Sequence, residues 1–84
     1  MARIIDGKRM NIVGENVRRF RLELKMSQKI LSIKLETIAV YICRGSISRI
    51  EDGSRTVSDI ELYGLSKVLG KPIECFFEGV HLNN

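Results

Sequence analysis

Eleven residues near the middle of the chain, Cys43 to Gly53 (Cys-Arg-Gly-Ser-Ile-Ser-Arg-Ile-Glu-Asp-Gly), hold the side chains best placed to do chemistry. Arg44, Ser46, Ser48 and Arg49 can each donate a hydrogen bond to a base edge or a phosphate. Ile47 and Ile50, three apart, fit the inward side of a short helix. The segment therefore sorts into an apolar face and a donor-rich face suited to a polyanion. Gly53 can take the positive φ that ends a helix, which limits the segment to about two turns. Isolated helices shorter than ~12–15 residues are marginal in water, so the rest of the chain must hold this one.

Other chemistries find little support. The single histidine, His81, falls near the end, and no carboxylate pair shares a visible pocket, so a nucleophile would lack a positioned base. Cys43 and Cys75 are not in CxxC spacing, and no metal or other cofactor is expected. Both cysteines read as small buried hydrophobes, with a redox role for Cys43 beside Arg44 as the alternative. The chain is not expected to be an enzyme. Its 84 residues suffice for one core but not for a separate catalytic or ligand domain, and no small-molecule ligand is evident. No apolar run approaches the ~18 residues that span a bilayer, and residues 1–9 lack a signal-peptide core, so a cytoplasmic protein without a membrane partner is expected.

The net charge of +4 is unevenly spread. Residues 1–35 carry nine Lys or Arg against three acids, residues 36–55 three against three, and residues 56–84 two against four. A basic N-terminal half points to phosphate-bearing partners, although an ordinary soluble surface also accommodates so modest an excess.

Residues 1–10 read as a basic arm, 11–78 as the folded domain and 79–84 as a tail. Asn11 can cap a first helix whose Val13, Val17, Phe20 and Leu24 form an apolar stripe. Ser27 caps a second, opened by Gln28 and carried by Leu31, Leu35 and Ile38. A turn with buried aliphatic residues is favoured over a lone strand for residues 38–43. Ser58 and Glu61 make a capping box for a fourth helix, with Leu62, Leu65 and Leu69 inward and Gly70 at its end. Pro72 opens a fifth through Phe77, with Ile73 and Phe76 toward the core. The spacing thus predicts an all-α domain of five helices.

A capped helix opening Ser-Gln, then a polar-faced helix ending Ile-Glu-x-Gly, resembles the Cro and lambda-repressor type (XRE-type) helix-turn-helix family. The likeness runs from about residue 12 to residue 77 and includes all five segments in order. It implies a lambda-repressor-like domain whose third helix enters the DNA major groove while the Ser27–Gln28 helix end sits on the backbone. Carried over by position, base contacts fall on Arg44, Gly45, Ser46, Ser48 and Arg49. Gly45 has no side chain to read with, and arginine to guanine is the commonest specific contact. Phosphate contacts fall on Ser27, Gln28, Arg21, Ser54 and Arg55. The resemblance also implies a pair between Arg21 and Glu51, the alternative being a solvated surface pair.

There is one departure. Between Gln28 and Ile47 lie 18 residues, where the usual pattern has about 13. The extra residues fall in Glu36 to Ile42. They are expected to lengthen the second helix through Ile38 and the connection through Tyr41 and Ile42, leaving Ala39 at the place of a turn glycine. Tyr41 is expected to be packed rather than to touch a phosphate or a second subunit. One helix reads only ~4 base pairs, too few against a genome of competing sites, so a homodimer on a pseudo-palindrome of double-stranded DNA is expected. Phe77, Val80 and Leu82 are the candidates for its interface. The expected function is a prokaryotic or phage transcriptional repressor. The alternative is a protein-interaction module, such as an antitoxin or accessory subunit.

Overall fold

The computed structural model describes residues 9–80, which form four α-helices and a closing 3₁₀ helix, with no strand among them. The order is α1 (Gly14–Glu23), α2 (Gln28–Glu36), α3 (Arg44–Glu51), α4 (Asp59–Leu69) and the 3₁₀ helix Ile73–Phe77. The fifth segment is therefore not the α-helix expected. Five residues after Pro72 are too few to establish an α-helical hydrogen-bond ladder, and the tighter turn satisfies them.

The helix starts follow local chemistry. Ser27 Oγ accepts from Ile30 N, and Ser58 with Glu61 forms a reciprocal capping box. Asn11 acts from two residues before the helix-start residue Val13, its Oδ1 accepting from Val13 N at 3.1 Å and Gly14 N at 2.7 Å. The helix ends use left-handed residues. Gly53 (φ 83°) and Gly70 (φ 69°) adopt that conformation freely, whereas Lys25 (φ 57°) and Ala39 (φ 62°) do so against the cost of a Cβ. At Ala39 the turn is closed by Ala39 N donating to Glu36 O and Val40 N to Leu35 O, the double bond that caps a helix C-terminus.

The core joins Val13, Val17 and Phe20 of α1, Leu31 and Leu35 of α2, Val40 and Ile42 of the connection, Ile47 and Ile50 of α3, Leu65 and Leu69 of α4, and Phe76. Phe20 and Phe76 meet edge to face, with ring centroids 5.2 Å apart. Asn16 anchors the C-terminal segment by donating from Nδ2 to Phe76 O and Glu78 O. Four apolar residues expected inside are exposed: Leu24 and Ile38, each beyond the last full turn of its helix, Ile73, and Tyr41, which is 74% exposed. Periodicity does not register where a helix stops. Val40 and Ile42 take the interior places in the connection, and alternation along extended backbone turns Tyr41 outward.

Residues 1–8 of the expected arm and 81–84 of the expected tail, including His81 and Leu82, lie outside the described residues. The last two residues of the arm sit on the domain: Met10 N donates to Gly53 O, and Arg9 pairs with Glu15. No described helix is long and apolar enough to cross a membrane, and no group of three metal-ligating side chains occurs among the described residues.

Candidate nucleic-acid interface

Ile47 and Ile50 are each 1% exposed and fix α3 by its inner face. Arg44, Gly45, Ser48 and Arg49 are exposed on the outer face, and Ser46 is half-buried at its edge. Arg49 Nη2 donates to Ser46 Oγ at 3.2 Å, so one hydroxyl tethers the guanidinium along the helix. Cys43, the residue before α3, is exposed, and the Ser46 side chain is the largest influence holding its thiol below the usual range. Cys75 is half-buried, and desolvation pushes its thiol up. Cys43 is thus not the buried hydrophobe expected, because the start of α3 stands clear of the core.

Two devices hold the C-terminal end of α3. In the first, Arg21 Nε donates to Glu51 Oε2 at 2.6 Å and Nη2 to Oε1 at 2.9 Å, a bidentate pair whose side chains are 8% and 4% exposed. Nη1 donates to Met26 O, so the guanidinium also secures the α1–α2 turn. Gln28 Nε2 adds a bond to Glu51 Oε1 at 3.1 Å, joining α1, α2 and α3 at one carboxylate. In the second, Asn11 Nδ2 donates to Ile50 O and to Arg55 O, while its oxygen caps α1. The sequence signalled Asn11 only as a cap, since its other partners lie 39 and 44 residues away.

The five residues assigned to phosphate contact divide. Ser27 and Ser54 are exposed, although Ser54 Oγ already donates to Asp52 Oδ1 at 2.6 Å, the bond chiefly responsible for keeping the Asp52 carboxyl below its usual range. Arg21 is buried on Glu51, and Gln28 is half-buried beside it. Arg55 is held bidentate by Glu61, with both bonds 2.9 Å. That pair raises the arginine further and lowers the Glu61 carboxyl below its ordinary range. Residue type marks such groups as donors, but a donor bound inside the fold has less to offer a ligand.

The cation that sequence reading passed over is Arg18. It is exposed on α1 and lines a cleft of about 300 Å³ with Gln28, Ser48, Glu51 and Asp52, directly beside the α3 face. Its signal was positional, three residues before Arg21 on the same side of α1, and was lost among neighbouring arginines. In sum, the outer face of α3, the start of α2 and Arg18 form one donor-rich surface, rigid at its base and open outward, with the exposed Asp52 carboxylate at its edge.

No protein-family model matches the chain, and no curated protein does. Among solved structures, the chain is similar to the restriction-modification controller protein C.AhdI from Aeromonas hydrophila. The TM-score is 0.68 at 23% sequence identity, over 77% of this chain and 87% of that one. At this identity the likeness is one of fold, and it agrees with the helix-turn-helix arrangement that the sequence resembles.

Proposed function

We propose that this protein is a sequence-specific double-stranded DNA-binding transcriptional regulator, a repressor of prokaryotic or phage type that binds a pseudo-palindromic operator as a dimer. The observation that carries this reading is the outer face of α3. Arg44, Ser46, Ser48 and Arg49 stand on a helix anchored by Ile47 and Ile50 and clamped at its end by Glu51. A scaffold that secures so short a helix this firmly suits side chains that must be aimed. Arg44 and Arg49 read base edges in the major groove, with Ser46 and Ser48 adding adaptable bonds. Ser27, at the start of α2, and Arg18 take phosphates, which position the domain without carrying sequence information. The fold shared with a restriction-modification controller protein supports the regulatory reading.

Selection from a random duplex pool with the purified protein tests this. A recovered palindrome, with binding that weakens steeply with salt at about −0.9 logarithmic units per neutralised phosphate, is the expected result. A flat salt titration and no enriched sequence overturn it. The second reading, a protein-interaction module, draws support from the exposed apolar side chains Ile38, Ile60 and Tyr63. It predicts weak, salt-insensitive DNA binding.

A further inference from the structure

Beside the start of α3, an open recess of about 400 Å³ is lined by Ser32, Glu36, Tyr41, Ile42, Cys43 and Ser46. Glu36, Tyr41 and Ile42 belong to the stretch in which this chain exceeds the usual helix-turn-helix spacing, so the extra residues there build a surface. The recess is firm at its base. Ser32 Oγ donates to Ile42 O at 2.7 Å, which ties the connection back to α2, and the Ile42 side chain is buried. It is also continuous with the donor face. Cys43 Sγ lies 3.4 Å from Ser46 Oγ, the hydroxyl that accepts from Arg49 Nη2.

We infer that this recess is a further base-reading subsite, taking the major-groove edge of a cytosine at a base pair beyond those met by Arg44 and Arg49. The inference rests on the DNA-binding reading of α3 and adds to it residues that α3 does not contain. The chemistry of the lining selects the base. Glu36 is exposed, and among the described residues its carboxylate forms no ion pair. A carboxylate brought against a polyanion costs affinity unless it meets a hydrogen-bond donor. In the major groove cytosine N4 and adenine N6 donate, whereas guanine O6 and thymine O4 accept and are repelled. The exposed Tyr41 ring above Ile42 decides between the two donors. Next to its amino group cytosine presents the apolar C5 edge, which suits that wall, while adenine presents the N7 acceptor. The Ser32 hydroxyl, already donating to Ile42 O, has no proton left for N7.

Site selection with the parent, Glu36→Ala and Tyr41→Ala chains tests this. Both side chains are exposed, and circular dichroism checks that the variants stay helical. The parent should favour cytosine at one base pair whose preference survives Arg44→Ala and Arg49→Ala. Exchanging that cytosine for thymine should weaken the parent about tenfold and Glu36→Ala by less than about twofold. On random duplexes Glu36→Ala should bind at least as tightly as the parent, since a charge of the same sign as the phosphates has gone; a loss there would assign Glu36 to the fold. Methylating C5 of the same cytosine extends its apolar edge toward Tyr41. That change should strengthen the parent about threefold and leave Tyr41→Ala unaltered. A parent indifferent to the methyl group takes Tyr41 out of the subsite. A selected operator whose every preference is lost with Arg44 or Arg49, or an identical operator for Glu36→Ala and the parent, overturns the inference and leaves the DNA reading standing. No enriched sequence with the parent overturns both.

Discussion

Gly14, the first residue of α1, lies against the carbonyl oxygen of Ile50 near the end of α3: a Cβ at Gly14 would come within 2.0 Å of that oxygen. No side-chain adjustment relieves such a contact, since the obstacle is backbone. Gly14→Ala should therefore lower unfolding stability by about 2–3 kcal/mol, even though alanine is the better helix former. Urea or thermal denaturation measures it, and a stabilised variant would mean that the two helices can separate at no cost.

The Arg21–Glu51 pair sits where the solvated alternative would not. Removing one partner leaves the other charge buried, which costs about 3 kcal/mol or more, so Glu51→Gln should lower the melting temperature by upwards of about 10 °C. Replacing both residues together with apolar ones of similar volume should cost much less. If the single and double replacements melt alike, the buried charge is not what destabilises the single variant.

Ala39 pays for its left-handed φ of 62° with a Cβ that has no favourable place there. Ala39→Gly removes that strain and loses part of the gain through a more flexible unfolded chain. The net expectation is a stabilisation of ~0.5–1 kcal/mol and a melting temperature a few degrees higher. A lower melting temperature would show that the alanine methyl contributes more by packing than it costs in strain.

Acid should weaken the joint between α3 and α4. Arg55 is the main cause of the lowered Glu61 carboxyl, helped by the Ser58 backbone, so its folded value lies below the ordinary 4.5. A depressed carboxylate contributes stability that is fully present above its unfolded value and is lost as pH falls through the folded one. Glu61→Gln should thus be less stable than the parent at pH 7, with the gap closing as pH falls below the ordinary carboxylate value and through the lowered folded one. A gap independent of pH would assign the effect to something other than ionisation.

On the donor face, Arg44→Ala and Arg49→Ala should each cost ~1–3 kcal/mol of binding to a selected site and relax preference at one base pair. Arg18→Ala should weaken selected and random duplexes alike and reduce the salt slope by about one. Equal losses on both kinds of DNA for Arg44 or Arg49 would reassign them to phosphates.

Sequence determined what local chemistry decides. Ser27, the Ser58–Glu61 box, Gly53 and Gly70 mark where α2 to α4 start or stop, because caps act within a few residues. The spacing of Ile47 and Ile50 fixed which side of α3 turns inward, since a helix imposes its period on every side chain. The resemblance set Ala39 at the place of a turn glycine, and its backbone there is left-handed. Tertiary structure decided what distant backbone and ionic partners take up. Asn11 and Asn16 bind carbonyls at least 39 residues away, and Gly14 and Gly64 are required by helices and a connection that only the fold brings near. Gln28 and Arg55 read as free donors until Glu51 and Glu61 were beside them, and Tyr41 read as packed until Val40 and Ile42 took the interior. Residue type specifies how many hydrogen bonds a group can make and how much apolar surface it carries, whereas packing decides which of them are already satisfied and which remain for a partner.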